Sequence, residues 1–207
     1  MLWLSSLAVL ATAAAVVCPD GGCVIGAFDR GGLELAHALR SGWLDGVMER
    51  ATWLGSLFLL LPLTAAGALL LLRAQRRRES RFVILALLGA SALSHAFKLW
   101  VERPRPDLFP PWVGLPADWS FPSAHTMQAV AAALAWLLVA RRARTSLALV
   151  LGLGALAVGL SRVYLQVHFP SDVVAGALAA ALWVAGLHAL MLRPGVRGRS
   201  DAGEGSR

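Results

Sequence analysis

Polar residues interrupt the apolar sequence at positions 161–172, where a purely hydrophobic turn would be expected. Arg162 offers a planar guanidinium that can bind an oxyanion through two parallel hydrogen bonds. His168 and Asp172 can form a pair in which the carboxylate fixes the imidazole tautomer and the far ring nitrogen attacks. This combination indicates phosphoryl transfer. The alternative interpretation is a loop histidine followed by an aspartate that caps a helix.

Two other polar stretches also lie at the ends of apolar runs. One contains Lys98 and Arg105, and the other is a Pro-Ser-Ala-His sequence that ends at His125. Ser123 can donate its hydroxyl group, and the N–H groups of Ala124 and His125 open a predicted helix whose N-terminus favours negative charge. Cations, histidines and a carboxylate gathered in an apolar environment are costly unless they bind an anion. A phosphate group fits that requirement.

The composition predicts a protein that crosses a membrane several times. Of 207 residues, 57% are hydrophobic and only 15% are charged, and the mean hydropathy is +0.65. Soluble domains carry about 25% charged residues. The net charge of +7 would suggest nucleic acid binding in a soluble chain. Here the basic residues follow apolar segments, as the positive-inside bias predicts, so nucleic acid is not expected as a partner.

Six apolar runs predict an all-α bundle of six transmembrane helices, contained in a single domain of residues 1–193. The runs are 2–17, 53–72, 82–100, 125–140, 145–160 and 173–192. The first run could also be a signal peptide, but no basic residue precedes it, and a retained helix is favoured. Residues 194–207 are rich in Gly, Ser and Arg and are expected to form a disordered cytoplasmic tail.

The first outer loop, residues 18–52, has an amphipathic pattern. The pattern predicts a helix at the membrane interface or one packed across the outer end of the bundle. Cys18 and Cys23 flank a short turn at the start of this loop. They could form a disulfide if the loop faces an oxidising compartment.

Arginine clusters follow the second, fourth and sixth apolar runs and predict that those ends are cytoplasmic. With this orientation the three polar stretches all fall at the outer end of the bundle. Their convergence favours one anion site over unrelated loop residues and helix caps.

The three stretches resemble the motifs of the type 2 phosphatidic acid phosphatase (PAP2) family, which shares its site with the vanadium haloperoxidases. The motifs occur in the family's order and spacing: Lys98, six residues and Arg105-Pro106; Pro122-Ser123-Ala124-His125; Ser161-Arg162, five residues, His168, three residues and Asp172. Ala124 departs from the family's commonest residue, Gly, and the charge of Glu102 inside the first motif has no explanation.

The resemblance implies a bacterial lipid phosphatase in the inner membrane, with its active site on the periplasmic side. It implies phosphate binding by Lys98, Arg105, Ser123, Ala124 and Arg162. His168 would attack phosphorus to form a phosphohistidine, and Asp172 would orient and stabilise its imidazole. His125 would protonate the leaving oxygen and later activate water.

No cofactor or metal is expected, because the sequence offers no carboxylate cluster or zinc motif near these stretches. Undecaprenyl diphosphate, phosphatidylglycerophosphate and phosphatidic acid all remain open as substrates, with a slight preference for the first. The alternatives are a lipid-phosphate carrier that only binds headgroups, or a vanadate-dependent peroxidase. Oligomeric state is not predicted. His95, one turn before Lys98, is interpreted as a helix-packing residue, with support of the site residues as the alternative, and His37 and His188 as surface or packing residues.

Overall fold

A computed structural model describes residues 2–111, 113–114, 117–140 and 144–192. This part of the chain contains eight α-helices, which confirms the all-α prediction. They are α1 (Leu2–Val17), α2 (Ala27–Ala38), α3 (Gly42–Trp53), α4 (Leu57–Arg73), α5 (Arg77–Val101), α6 (Ala124–Val139), α7 (Arg144–Tyr164) and α8 (Pro170–Met191). The predicted tail at 194–207 lies outside the described residues.

Helix α6 lies at the centre of the bundle, where it contacts α4, α5, α7 and α8. Its buried face is made mainly of alanines, and small residues allow neighbouring helices to approach closely in an apolar environment. These alanines are Ala129, Ala131, Ala132 and Ala135. Helix α8 contacts α6 and also packs against α1, α2 and α5. The end of α5, the start of α6, the end of α7 and the start of α8 lie at the same end of the bundle.

Within the described residues, three helices are long and apolar enough to cross a membrane: α5, α7 and α8. Helices α3 and α4 together would form a fourth span, bent by 45° at the break between them. Helices α1 and α6 are apolar but shorter. Length and composition thus give three or four candidate spans.

The segment predicted as the first outer loop, residues 18–52, differs from its prediction because it contains two helices, α2 and α3, rather than one. The chain turns at Ser41, whose extended backbone (φ −158°) precedes Gly42 at the start of α3. Helix α2 packs against α7 and α8, and α3 packs against α7. Leu44 and Met48 of α3 contact the buried cluster formed by Tyr164, Leu165 and Val167. This agrees with the alternative of helices packed across the end of the bundle.

A disulfide joins Cys18 to Cys23 between α1 and α2. The sequence did not decide whether this disulfide forms. It closes the short turn that contains the 3-10 helix Pro19–Gly21 and thereby ties the end of α1 to the segment that leads into α2.

Candidate active site

The three motifs meet in a cavity of about 200 Å³ at one end of the bundle. Six of the eight predicted site residues line it: Lys98, Arg105, Ala124, His125, Arg162 and His168. Each comes from the end of a helix or from the loop that follows it. Asp172 contacts the Nδ1 side of the His168 ring, and Ser123 is the residue that precedes α6.

His168 is 1% exposed and precedes α8, whose first residue is Pro170. Proline is favoured at the first position of a helix because its missing N–H group needs no partner there. Asp172, two residues further, accepts a hydrogen bond from the N–H of Phe169 (3.0 Å) at the start of the helix. Its Oδ2 lies 3.4 Å from Nδ1 of His168. The local helix start thus fixes the carboxylate beside the imidazole.

The other ring nitrogen of His168 is directed to the cations. Nε2 lies 3.3 Å from Nη1 of Arg105. Burial lowers the pKa of His168 well below its ordinary value, and the positive charges of Arg162, Arg105 and Lys98 lower it further. The imidazole is therefore neutral near pH 7, so Nε2 keeps the lone pair that a nucleophile requires.

Two cations of the site share one carboxylate, that of Asp118. Lys98 Nζ lies 3.2 Å from Asp118 Oδ2, and Arg105 donates to Oδ1 of the same group. The Asp118 side chain is 44% exposed, whereas Lys98 is almost fully buried. Burial raises the pKa of the Asp118 carboxyl, but the charges of Lys98 and Arg105 outweigh burial and hold it below its ordinary value. Asp118 is therefore an internal anion between two phosphate-binding candidates.

The third cation, Arg162, is buried and donates from Nη1 to the hydroxyl of Thr52 (2.6 Å). Among the described residues, its Nε finds no hydrogen-bond partner. An unpaired buried donor on a charged group is costly. Because Arg162 also lines the cavity, an anion bound there would offer this group an acceptor.

Ser123 is not among the described residues that line this cavity. Its side chain is fully buried, and its hydroxyl lies 2.9 Å from the hydroxyl of Thr126. Its backbone N–H donates to the carbonyl of Asp172 (3.2 Å), which joins the start of α6 to the start of α8. A phosphate contact by the Ser123 hydroxyl stays a prediction.

Sequence reasoning missed several residues around this cavity. Asp118 and Ser120 lie in the loop before α6, and Ser120 donates its hydroxyl to Asp172. His95 also lines the cavity, which agrees with the alternative that the sequence left for it, and its Nδ1 lies 2.8 Å from the carbonyl of Ser91. The signal for His95 was its position one turn before Lys98. Asp118 carried no local signal.

The other two histidines agree with their interpretation as packing residues. His37 stacks on Phe109, and His188 meets the ring of Phe82 edge to face. Within the part of the chain that is described, no group of three or more His, Cys, Asp or Glu side chains is placed to hold a metal ion.

Comparisons with known proteins show the family to which the chain belongs. Residues 80–194 match the PAP2 superfamily. The chain is 34% identical over 150 residues to phosphatidylglycerophosphatase B of Bacillus subtilis (strain 168), covering 69% of this chain and 73% of that protein. It is 30% identical over 145 residues to an undecaprenyl-diphosphatase of Sulfolobus acidocaldarius, covering 68% and 67%.

The fold is similar to a crystal structure of a transmembrane PAP2-type phosphatidylglycerolphosphate phosphatase from Bacillus subtilis. The TM-score is 0.77 at 28% identity, over 91% of this chain and 94% of that chain. The chain therefore belongs to the PAP2 superfamily. It is a hydrolase, a membrane lipid phosphatase with several membrane-embedded helices.

Proposed function

We propose that this phosphatase hydrolyses the phosphomonoester or pyrophosphate of a lipid through a phosphohistidine on His168, without a metal ion. The observation that supports the proposal most is the orientation of His168. Its Nδ1 faces Asp172, and its Nε2 faces Arg105 in the cavity that the cations line. A neutral imidazole so held can attack phosphorus from Nε2.

In the first half-reaction, the P–N bond to His168 Nε2 forms as the P–O bond to the lipid breaks. Lys98, Arg105 and Arg162 neutralise the phosphoryl oxygens as their charge redistributes in the transition state. The N–H groups at the start of α6 add positive potential, with Ser123 and Ala124 at that helix end. His125 gives its proton to the departing oxygen.

In the second half-reaction, neutral His125 takes a proton from water, and the water oxygen attacks phosphorus. The P–N bond then breaks and phosphate leaves, which returns His168 to its starting form. Asp172 accepts the Nδ1–H of His168 throughout and stabilises the positive charge that the ring acquires when Nε2 carries phosphorus. Both proton transfers use side chains of this chain, so the scheme needs no metal.

The substrate reaches the cavity from within the membrane, with its phosphate at headgroup depth. Support comes from the start of α4, where Leu57 and Phe58 line the cavity and Phe58 is 88% exposed. An apolar side chain so exposed beside a cationic cavity suits a ligand with a charged head and an apolar tail. The cavity of about 200 Å³ has room for a phosphoryl group and the part of the headgroup bonded to it.

The membrane topology that we propose has six spans, formed by α1, α4, α5, α6, α7 and α8, with the site on the periplasmic side of a bacterial inner membrane. The arginines that follow α4 support this orientation. Residues 1–193 would form the phosphatase domain, and residues 194–207 a cytoplasmic tail.

Two relatives suggest the lipid. One is named for phosphatidylglycerophosphate and the other for undecaprenyl diphosphate, and the phosphoryl group is common to both. We propose undecaprenyl diphosphate and phosphatidylglycerophosphate as the first substrates to test, with phosphatidic acid as the third.

The test is phosphate release by the purified protein from these three lipids in mixed micelles, with His168→Ala as the matched variant. We expect release from at least one lipid and a loss of roughly 10³-fold or more in the variant. Excess EDTA should leave the rate unchanged. Wild-type release by His168→Ala would contradict the mechanism, and a loss in EDTA that a divalent ion restores would contradict its metal-free form.

A further inference from the structure

A buried guanidinium connects the first outer loop to the carboxylate behind His168. Arg103 follows α5 and is only 1% exposed. Its Nη1 donates to Oδ1 of Asp172 (2.6 Å), and its Nη2 donates to Oδ2 of Asp29 (2.7 Å). One cation thus lies between two buried carboxylates that belong to α8 and α2.

Further contacts hold this bridge in place. The N–H and hydroxyl of Ser171 donate to Asp29 at 2.8 Å and 2.7 Å. Nη1 of Arg103 also donates to the Ser171 hydroxyl (2.8 Å), and the guanidinium lies 3.9 Å from the centroid of the Phe169 ring. Buried ion pairs stabilise a fold only when such additional bonds satisfy them. Both carboxylates of this network are satisfied by several donors.

The bridge controls the orientation of the Asp172 carboxylate. Oδ1 is held by Arg103, which leaves Oδ2 to face Nδ1 of His168 and to accept from Phe169 N–H and the Ser120 hydroxyl. Rotation of the carboxylate would break bonds on both sides. Arg103 therefore fixes which oxygen faces the imidazole.

We propose that Arg103 and Asp29 are positioning residues for the nucleophile, so that helix α2 is part of the active site although it contributes no residue to the cavity lining described above. Arg103 orients Asp172, and Asp29 holds and partly neutralises Arg103. The inference rests on the proposed function, since it assigns the purpose of the network to His168.

The two positioning charges should affect the His168 pKa in opposite directions. The charges that face His168 are those of Lys98, Arg105, Arg162, Asp172 and His125 when protonated. Loss of the positive Arg103 should raise the pKa of His168, and loss of the negative Asp29 should lower it. The acidic limb of the pH profile of kcat/KM reports the pKa of the nucleophile, His168, in the free enzyme. It should move to higher pH in Arg103→Gln and to lower pH in Asp29→Asn.

The first experiment measures kcat, KM and the pH profile of these variants on whichever lipid the wild type hydrolyses. We expect kcat to fall about 10- to 100-fold, as for other residues that orient a functional imidazole, with KM changed less than threefold. Arg103→Lys should keep the wild-type acidic limb, because the charge remains, while kcat falls because the two-pronged contact is lost.

Asp45→Asn is the control for Asp29→Asn. Asp45 is a buried carboxylate of the neighbouring helix α3, where it accepts from the hydroxyl of Tyr164 (2.7 Å) and has no contact with Arg103 in the described residues. Asp45→Asn should lower the stability of the protein about as much as Asp29→Asn does, but it should keep the wild-type pH profile. A loss of kcat with an unmoved acidic limb in both Asp29→Asn and Arg103→Gln would overturn the proposal.

A second pair of variants tests the docking of α2 without touching a charge. A Cβ on Gly32 would lie 2.4 Å from Cγ of Pro170, whereas a Cβ on the adjacent Gly31 would meet nothing within 4 Å. Gly32→Ala should push α2 from the start of α8 and lower kcat at least tenfold, while Gly31→Ala should leave kcat unchanged. Equal activity of the two variants would overturn the proposal.

Failure of this inference can be told apart from failure of the proposed function. If wild-type enzyme forms a phosphohistidine and the Arg103 and Asp29 variants keep the wild-type kcat, only the positioning role is excluded. If wild-type enzyme forms no phosphohistidine on His168, the proposed function itself fails.

Discussion

The carboxylate of Asp118 occupies donors of the site that a phosphate group would also use. Its carboxylate contacts both Lys98 and Arg105. A carboxylate presents two oxygens much as a phosphoryl group does, so both anions suit the same donors. A phosphate that binds between Lys98 and Arg105 would therefore compete with Asp118, whose partial exposure leaves room for it to move.

Asp118→Asn should strengthen the binding of inorganic phosphate and vanadate, because a neutral amide competes less for the cations. A partly exposed ion pair is worth about 1 kcal/mol, which corresponds to about a fivefold lower inhibition constant. The measurement is competitive inhibition of lipid phosphate hydrolysis. Asp107→Asn, an exposed carboxylate on the same loop, is the control and should change little. Weaker inhibition of Asp118→Asn would show that Asp118 instead helps to hold the cations for substrate.

The sequence predicted the cavity-lining residues that lie within motifs, and it missed residues whose contacts join distant parts of the chain. Lys98, Arg105 and His168 could be found because their spacing is short and characteristic. Arg103 and Asp29 are 74 residues apart, and Arg103 and Asp172 are 69 apart. No periodicity connects such partners, because tertiary packing alone brings them together.

Close helix packing positions the motifs, and two contacts between a glycine and a tryptophan illustrate it. A Cβ on Gly89 of α5 would lie 2.1 Å from the Trp183 ring of α8, and a Cβ on Gly67 of α4 would lie 2.3 Å from the Trp136 ring of α6. Each tryptophan therefore fills the space that the facing glycine leaves. These contacts fix the separation of helices that line the cavity or carry residues at its edge.

Gly89→Ala should destabilise the protein, because the Trp183 ring must move and its Nε1 would lose the hydrogen bond to the Leu85 carbonyl (3.3 Å). Overpacking of this kind costs about 1–3 kcal/mol. The thermal unfolding midpoint in detergent micelles would report it. Gly154→Ala is the control, since a Cβ there meets nothing within 4 Å, and it should be neutral or stabilising by up to about 1 kcal/mol. Equal midpoints for the two variants would contradict the packing argument.

Helix boundaries were predicted well where apolar runs end abruptly and less well elsewhere. Helix α1 has the predicted bounds, 2–17. Helix α5 begins at Arg77 rather than 82, because arginine and glutamate are good helix formers and extend the apolar segment. The division of residues 18–52 into two helices depends on a turn at Ser41 that an amphipathic pattern alone does not reveal.

At the scale of the whole molecule, the charge distribution and the disulfide both support the proposed orientation, with the cavity on the periplasmic side. Arginines follow α4, at the end of the bundle opposite the cavity. Cys18 and Cys23 are bonded at the cavity end, and disulfides persist mainly in oxidising compartments. Composition sufficed to predict a membrane protein, but the 16 residues of α6 are short for a span. The number of spans therefore depends on how the bundle sits in the bilayer.

Single cysteines would test the orientation directly. Gly114→Cys lies in the exposed loop beside the cavity, and Arg78→Cys lies at the opposite end, near the start of α5. A membrane-impermeant maleimide should label the first in intact spheroplasts and the second only after permeabilisation. The unmodified chain, with its cysteines bonded, is the blank. The reverse labelling pattern would place the site in the cytoplasm.

The central claim is that His168 carries the phosphoryl group between the two half-reactions. The most direct test is a rapid quench of purified enzyme mixed with a lipid substrate whose scissile phosphate is labelled with ³²P. We predict a label that is stable in base, labile in acid and located on the peptide that contains His168, and absent from His168→Ala. Phosphate release at the wild-type rate without a protein-bound label, or a label on another residue, would contradict the account.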